Sequence, residues 1–335
     1  MSLRVAINGF GRIGRLVLRA LYERSDLDIK LVAINDLTSL EMNAYLLSYD
    51  SVHGPFPHKV TTEKSKLVIS GDPIDVFSEP SPKKLPWHDL DIDIVFECSG
   101  RFATRETAAQ HLEAGAKRVL VSAPTTGADL TVVYGVNHTS LTSSHMVVSN
   151  ASCTTNCLAP LAKVLHETIG IEQGFMTTIH AYTGDQNLVD TGHKDPRRAR
   201  AAGLSMIPTS TGAARAVGLV LPDLAGKIDG AAIRVPTPNV SVVDFKFTSQ
   251  KETSPKQITS FLSEASRGSL KGILDIVDQP LVSCDFNHNP HSSLYDVTQT
   301  QVLEGTFCRV VSWYDNEWGF SNRMLDTAVK ISDFI

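Results

Sequence analysis

The 335-residue sequence lacks the features that place a chain in a membrane or a secretory route. It has no uninterrupted apolar stretch near the ~18–20 residues needed to cross a bilayer, so we expect no membrane span. The segment MSLRVAINGF has no long apolar signal core and runs at once into a glycine turn. The chain also shows no repeat and no low-complexity segment. These absences predict a cytoplasmic globular protein.

The cysteines do not form the pattern of a disulfide framework. Their number is odd, no CxxC pair occurs, and the shortest spacing, from Cys153 to Cys157, is one helical turn. Scattered cysteines of this kind are typical of a reducing compartment. The five are Cys98, Cys153, Cys157, Cys284 and Cys308. One question is left open, namely whether any of them is a reactive thiol.

The chain also lacks a large excess of charge of either sign. The chain has 31 basic and 36 acidic side chains, giving a net charge of −5, which argues against nucleic acid and anionic membranes as partners. The eleven histidines show no metal-ligand spacing, so we predict no metal. The length suits one large domain or two ordinary ones, and a chain of this size can bury a large core without disulfides or metal.

Residues 1–150 alternate short apolar runs with amphipathic stretches, which is typical of βαβ units around a parallel sheet. Helical spacing from Ile13 to Leu21 and over 104–114 predicts helices between the strands. Strands are predicted at 3–8, 30–35, 93–98, 118–123, 131–136 and 146–150. This half is expected to be a Rossmann dinucleotide-binding domain of the α/β class.

Residues 151–316 have a different character. A helix is predicted over 153–169, followed by longer β-rich runs and by helices at 209–220 and 255–266. The β-rich runs are 174–183, 230–237, 240–248 and 306–314. This pattern predicts an α+β catalytic domain with a largely antiparallel sheet. The last amphipathic stretch, within 317–335, is expected to pack back on the first domain.

A glycine pattern follows the first predicted strand. Gly9, Gly11 and Gly14 have G-x-G-x-x-G spacing and open an amphipathic helix, so the loop could hold a pyrophosphate at the helix N-terminus. Asp36 ends the second strand, where a carboxylate hydrogen-bonds ribose hydroxyls and repels a 2′-phosphate. NAD is therefore favoured over NADP. The alternative is a glycine turn without a ligand.

The block SNASCTTNC lies where the two halves meet. Ser152 is a plausible N-cap, which puts Cys153 at the positive end of a helix and predicts a lowered thiol pKa. His180, at the end of a strand, is the best candidate base. Taken singly, Cys153 could be a small buried residue and His180 a satisfied structural histidine.

Anion-binding groups occur in three other places. Thr211 and Gly212 lie at the N-terminal end of the predicted helix 209–220, and Arg234 lies in a strand-end RVPTPN segment. Arg198 belongs to the run RRAR within the long polar loop 183–206. That run reads equally well as a solvated or subunit-facing charge cluster.

Several blocks together resemble the phosphorylating glyceraldehyde-3-phosphate dehydrogenases, over essentially the whole chain. SCTTNC is the most specific of them. The shared blocks are INGFGRIGR (7–15), NASCTTNCLAP (150–160), HAYTGDQ (180–186), PTSTGAA (208–214), RVPTPNVSVVD (234–244) and SWYDNEWGFSNRM (312–324).

The resemblance implies a role for each matching residue. Cys153 would be the nucleophile and His180 the base. The residues implied at the dinucleotide are Gly9, Gly11, Arg12, Ile13, Gly14, Asp36, Ser122 and Asn316. Those implied at two phosphate pockets are Ser152, Thr154, Thr183, Arg198, Thr211, Gly212 and Arg234. Two anion sites suit a phosphorylated substrate together with inorganic phosphate.

The implied activity is NAD-dependent oxidative phosphorylation of D-glyceraldehyde 3-phosphate to 1,3-bisphosphoglycerate, in glycolysis or gluconeogenesis, by a homotetramer. Two departures concern the cofactor. Thr191-Gly192 replaces the Leu-Pro pair common in NAD-specific members, so secondary use of NADP is possible. Pro80 replaces an arginine usual on the adenine side.

Two alternatives stay open at this point. Erythrose-4-phosphate dehydrogenase shares the fold and the Cys/His pair, although the PTSTG block favours the glyceraldehyde phosphate enzyme. A catalytically silent NAD-binding interaction protein would be expected to lack the thiol, the base or the anion residues, and all of these are present.

Overall fold

The computed structural model describes residues 2–335 and divides into two compact units. Unit 1 comprises residues 2–132, 138–151 and 321–335, and unit 2 comprises 133–137 and 152–320. Each unit is built on one sheet. In the described chain, no helix combines the length and the apolarity required to cross a membrane.

Unit 1 contains a nine-stranded sheet in the order β3-β4-β5-β2-β1-β6-β7-β9-β8. Its strands are β1 Leu3–Asn8, β2 Ile29–Asn35, β3 Val60–Glu63, β4 Lys66–Ile69, β5 Asp72–Phe77, β6 Ile94–Glu97, β7 Arg118–Val121, β8 Leu130–Thr131 and β9 Val147–Ser149. All pairs are parallel except β3·β4 and β4·β5. Strands β6 and β7 are buried along their whole length, as expected for a parallel sheet covered on both faces.

The helices of unit 1 are short apart from the first. They are α1 Arg12–Glu23, α2 Leu40–Ser48, α3 Arg105–Ala108 and α4 Gln110–Glu113. The helix predicted over 104–114 is thus two four-residue helices, the first capped by Thr104. Three antiparallel strands between residues 60 and 77 escaped prediction, because their polar residues hide the apolar pattern.

Unit 2 contains a seven-stranded sheet in the order β11-β12-β10-β13-β16-β15-β14. The strands are β10 Ile171–Ala181, β11 Ile207–Ser210, β12 Ile228–Val235, β13 Ser241–Ser249, β14 Leu274–Val277, β15 Ser293–Leu303 and β16 Phe307–Tyr314. Four of the six pairings are antiparallel, and β10·β12 and β14·β15 are parallel. The predicted largely antiparallel sheet is confirmed.

Three helices belong to unit 2 and a fourth begins there. They are α5 Cys153–Ile169, α6 Val217–Val220, α7 Pro255–Arg267 and α8 Trp318–Ser332. Helix α5 has the predicted bounds, and the Ser152 side chain caps it by accepting from the Thr155 N–H at 3.0 Å. From Ser321 onward the chain is grouped with unit 1.

Two predicted elements were wrong. The strand predicted at 131–136 is reduced to Leu130–Thr131, and residues 133–137 belong to unit 2. The helix predicted at 209–220 is reduced to α6, because Ile207–Ser210 pairs with β12 as an edge strand. Hydroxyl and β-branched side chains suit such a strand better than a helix.

Candidate active site and dinucleotide site

The Cys153 thiol and the His180 imidazole lie together in unit 2. Cys153 is the first residue of α5 and His180 is next to last in β10, and their Sγ and Nε2 atoms are 3.5 Å apart. His180 Nδ1 is 2.7 Å from the Ala181 carbonyl oxygen, which can only accept, and 3.0 Å from Arg234 Nη1, which can only donate. The shorter contact assigns the Nδ1 proton to the carbonyl oxygen. The Nε2 lone pair therefore faces the thiol, which is the tautomer a base requires.

Burial favours the neutral form of both groups. Burial, followed by the positive charge of Arg234, lowers the pKa of His180 to about 3. Burial raises the pKa of the Cys153 thiol, and Arg234 and Thr154 oppose that effect only in part. The predicted lowering of the thiol pKa by the helix N-terminus is thus outweighed by desolvation. A neutral thiol donates to a neutral imidazole, and the proton is placed to move as the sulfur attacks.

Arg234, at the end of β12, lies on the far side of His180. Its Nη1 is 3.0 Å from His180 Nδ1, donates to the Ala181 carbonyl oxygen at 2.9 Å and lies 3.5 Å from Thr183 Oγ1. Its buried Nε has no hydrogen-bond partner in the described chain. An unpaired donor on a buried cation is suited to an anionic ligand. The structure therefore brings Arg234 and Thr183 together with the base.

The first turn of α5 supplies hydroxyl groups around the thiol. Ser152 Oγ contacts Thr155 Oγ1 at 2.7 Å, and Thr155 Oγ1 donates to the Ala213 carbonyl oxygen at 3.2 Å. This bond ties the helix to the segment that carries Thr211 and Gly212. Thr154 Oγ1 is directed away from solvent, 2.8 Å from the hydroxyl of Tyr314.

Arg198 has carboxylate and hydroxyl partners in the long loop. Its Nη1 forms an ion pair with Asp185, and its Nε is 3.1 Å from Thr209 Oγ1. Thr211 Oγ1 accepts from the Ala213 N–H at 3.1 Å. An anion that binds Arg198 must therefore displace the Asp185 carboxylate or share the guanidinium group with it.

Asn316 follows β16 and is almost fully buried. Its Oδ1 accepts from Ser241 Oγ at 2.8 Å, and no acceptor for its Nδ2 is found among residues 2–335. The neighbouring Asp315 carboxylate accepts four hydrogen bonds and fixes the backbone at this point. Asn316 thus offers an amide donor from a rigid position.

The glycine turn of unit 1 has the geometry of a dinucleotide loop. Gly9 has φ +91°, and a Cβ there would lie 2.4 Å from the backbone of Ser99. A Cβ on Gly14 would lie 2.2 Å from the Gly9 carbonyl oxygen, whereas one on Gly11 would meet nothing within 4 Å. The chain therefore closes tightly at Gly9 and Gly14 and is open at Gly11, where a pyrophosphate could approach.

A cleft of about 250 Å³ adjoins this turn, lined among others by Gly11, Asp36, Leu37 and Pro80. Asp36 Oδ2 accepts from the Phe10 N–H at 2.6 Å and Oδ1 from the Thr38 N–H at 2.8 Å. Each carboxylate oxygen has a second lone pair, so the ribose hydroxyls can still be bound. These residues fit the adenosine half of a dinucleotide.

The other three cofactor candidates lie at two places in unit 1. Arg12 begins α1 and forms an ion pair with Asp50, and Ile13 follows it in the first helical turn. Ser122 follows β7, and its backbone N–H donates to the Glu97 carbonyl oxygen at 3.0 Å. The Arg12 side chain is thus paired with Asp50, while the N-terminus of α1 directly follows the glycine turn.

Several residues near the site were missed by sequence reasoning. Tyr314 lies under the thiol and imidazole, its hydroxyl bonded to Thr154 and Thr178 and its ring edge-on to His180. Beneath the glycine turn the buried Glu97 carboxylate accepts from Asn8, His111 and Ser99. For Glu97, the available sequence signal was a carboxylate at the end of an apolar strand, in the segment FECSG. No group of three or more His, Cys, Asp or Glu in residues 2–335 could hold a metal ion.

Fold and site together define a class of protein. A glycine-turn Rossmann sheet and a separate catalytic sheet that carries a cysteine–histidine pair are the parts of an NAD-dependent dehydrogenase acting on an aldehyde through a thiol.

Comparison with known proteins identifies the family. Residues 3–105 match the model of the glyceraldehyde 3-phosphate dehydrogenase NAD binding domain, and residues 152–316 match that of the C-terminal domain. Glyceraldehyde-3-phosphate dehydrogenase from Xanthobacter flavus is 64% identical over 331 residues, and that from Cereibacter sphaeroides is 61% identical over 331. Both alignments cover 99% of each chain. The chain belongs to the glyceraldehyde-3-phosphate dehydrogenase family.

The similarity extends to more distant bacteria. Glyceraldehyde-3-phosphate dehydrogenase 1 of Bacillus subtilis is 52% identical over 333 residues, again covering 99% of both chains. The similarity therefore spans both units of the fold.

Proposed function

We propose that this protein catalyses the NAD-dependent oxidative phosphorylation of D-glyceraldehyde 3-phosphate to 1,3-bisphosphoglycerate. The observation that carries the proposal is the 3.5 Å approach of Cys153 Sγ to the lone pair of His180, within a chain of this family. Membership supports the reaction class, and the geometry supports the assignment of the two residues.

The first step is attack by sulfur. Cys153 Sγ bonds to the aldehyde carbon while its proton passes to His180 Nε2. The imidazolium returns that proton to the carbonyl oxygen, which gives a thiohemiacetal. Burial and the charge of Arg234 disfavour the imidazolium, which favours transfer of the proton from His180 to that oxygen.

Oxidation follows on the same sulfur. His180 takes the hydroxyl proton of the thiohemiacetal as the carbon loses a hydride, and a thioester on Cys153 results. NAD, when bound, accepts that hydride. Inorganic phosphate then attacks the thioester carbon, the carbon–sulfur bond breaks, and Cys153 regains a proton. The acyl phosphate released keeps the free energy of oxidation.

The phosphate groups are assigned to two sets of residues. We assign Thr183 and Arg234 to one anion, in agreement with the unpaired Nε of Arg234. The second set is Ser152, Thr154, Arg198, Thr211 and Gly212. Arg198 is the cation of that set, and it must share its charge with Asp185.

The dinucleotide residues are assigned as the resemblance implies, with Asn316 donating to the nicotinamide amide. Asp36 favours NAD, and the small pair Thr191-Gly192 permits some use of NADP. Comparing turnover with the two cofactors tests this preference, and a faster reaction with NADP would reverse it. We also propose a cytoplasmic homotetramer.

Replacement of the nucleophile tests the proposal. Cys153→Ser is expected to lower NADH formation from glyceraldehyde 3-phosphate by at least about a thousandfold, because an alcohol at neutral pH is a far weaker nucleophile than a thiol paired with a base. NAD affinity, measured by calorimetry, should stay within about twofold of the parent protein. Cys157→Ser, one turn further along α5, is the matched control for the loss of a thiol. Turnover retained by Cys153→Ser would refute the assignment.

A further inference from the structure

Ser241 occupies a central place at the edge of the unit 2 sheet where the catalytic groups gather. It is the first residue of β13, which lies between β10 and β16. Strand β10 ends just after His180, and β16 ends just before Asp315 and Asn316. The side chain of Ser241 is buried, with only 1% of its surface exposed.

The Ser241 hydroxyl makes one hydrogen bond to each flanking strand end. It accepts from the Ala181 N–H at 3.0 Å and donates to Asn316 Oδ1 at 2.8 Å. A backbone N–H can only donate, and a serine hydroxyl has a single proton. Ser241 therefore donates its one proton to Asn316 Oδ1. This bond holds the amide oxygen of Asn316 toward β13 and points its nitrogen away from β13.

The backbone that carries Asn316 is held independently. Asp315 Oδ1 accepts from the N–H groups of Glu317 and Trp318 at 2.9 and 2.7 Å. Its Oδ2 accepts from Asn239 Nδ2 at 2.8 Å and from the His288 N–H at 2.7 Å. With the main chain fixed in this way, the side-chain rotation of Asn316 is the freedom that remains, and Ser241 removes it.

We propose that Ser241 is a positioning residue for the nicotinamide. It turns Asn316 so that Nδ2 can donate to the carboxamide oxygen of the cofactor, and it ties that donor to the strand end that carries His180. The inference rests on the proposed function, which supplies the dinucleotide and the contact with Asn316. It assigns a role to a residue that touches neither substrate nor cofactor.

Paired ligands test the proposal without relying on turnover. Calorimetry compares the binding of NAD and of ADP-ribose, which lacks the nicotinamide. Ser241→Ala is expected to weaken NAD about five- to tenfold, the range of one hydrogen bond to a buried polar group, and to leave ADP-ribose unchanged. Ser241→Cys keeps a side chain of similar shape with a weaker donor, so it should also weaken NAD binding. Because it leaves no cavity, it serves as the second variant if Ser241→Ala fails to fold.

Ser249→Ala is the matched control. It removes a buried hydroxyl at the other end of β13, where the partners are the Lys251 and Thr306 carbonyl oxygens and the Cys308 thiol. Both affinities should stay at the level of the parent protein. Equal weakening of NAD and ADP-ribose by the Ser241 variants, or no change in NAD affinity, would overturn the positioning role.

Asn316→Ala separates this inference from the assignment on which it rests. It should weaken NAD selectively, and adding Ser241→Ala to it should cost nothing more. If Asn316→Ala leaves NAD affinity unchanged, the proposed nicotinamide contact is itself wrong. If it weakens NAD while the Ser241 variants do not, the contact stands and the positioning role of Ser241 fails.

Discussion

At the scale of single residues, the site is governed by which atoms carry protons. The Ala181 carbonyl oxygen accepts from both His180 Nδ1 and Arg234 Nη1, so one backbone group fixes the tautomer of the base and holds a cation within 3.0 Å of the ring. Burial raises the pKa of the thiol and lowers that of the imidazole, so it favours the neutral form of each group.

The neutral pair predicts how Cys153 reacts with an alkylating reagent. Because burial raises its pKa above the ordinary thiol value, the thiolate fraction should still be rising above neutral pH. In cofactor-free protein, the rate of iodoacetamide alkylation should increase roughly tenfold per pH unit between about pH 7 and pH 8.5. Mass spectrometry of the labelled peptide gives the rate for this cysteine.

Cys157 serves as the internal reference, since burial raises its pKa to about 12 and it should remain unlabelled. A rate for Cys153 that is flat from about pH 6 to pH 8 would mean that the thiolate is already formed, and would contradict the neutral pair.

Some residues of the candidate site could be predicted from the sequence and others could not. Cys153 and His180 were singled out because a thiol after a capping serine and a strand-end histidine are chemical signals in themselves. Ser241 and Tyr314 carry no such signal, since a serine or a tyrosine in a strand is ordinary. Their importance comes from contacts between distant parts of the chain, such as the bond from Tyr314 to Thr154.

At the scale of elements, the glycine turn shows how one loop divides its tasks. Gly14 permits α1 to pack against the turn, while Gly11 leaves an open face. The backbone therefore excludes a methyl group from Gly14, whereas no protein atom within 4 Å excludes one from Gly11.

This division predicts different outcomes for two alanine variants. Gly14→Ala places a carbon 2.2 Å from the Gly9 carbonyl oxygen, so the turn must shift at a cost of about 2–3 kcal/mol and the Tm should fall. Gly11→Ala should keep the parental Tm and weaken NAD binding, because its methyl group lies where the pyrophosphate approaches. Calorimetric scanning and NAD titration measure the two effects. Equal losses of Tm in both variants would refute this reading.

Elements were predicted well where one signal dominated. Helix α5 has a cap and a continuous apolar face, and its predicted and observed bounds agree. The segment 209–220 was misread because a hydroxyl run before small residues suits both a helix N-terminus and an edge strand. Pairing with β12 decides for the strand, and that partner is remote in sequence.

At the scale of the whole molecule, the long loop 183–206 exposes apolar side chains that a monomer has no reason to keep in water. The exposed fractions are 86% for Leu188, 87% for Leu204 and 75% for Met206. Exposed apolar residues of this size are typical of subunit interfaces. They support the proposed homotetramer.

Light scattering coupled to size exclusion tests the assembly. The parent protein should elute with about four times the 36.4 kDa chain mass. Leu204→Glu should give smaller species, because a buried unpaired carboxylate opposes association. Leu219→Glu, at a residue 65% exposed on α6, is the control and should leave the mass unchanged. Elution of the parent protein as a monomer would contradict the proposal.

In the proposed reaction, oxidation at Cys153 is coupled to phosphate transfer. NADH formation from glyceraldehyde 3-phosphate, measured with and without inorganic phosphate, tests this coupling. With phosphate, NADH should accumulate in continuous turnover together with an acyl phosphate product. Without it, the thioester on Cys153 should persist, and NADH should stop near one equivalent per active site. Equally fast continuous turnover without phosphate would show that water cleaves the thioester, and would contradict the account.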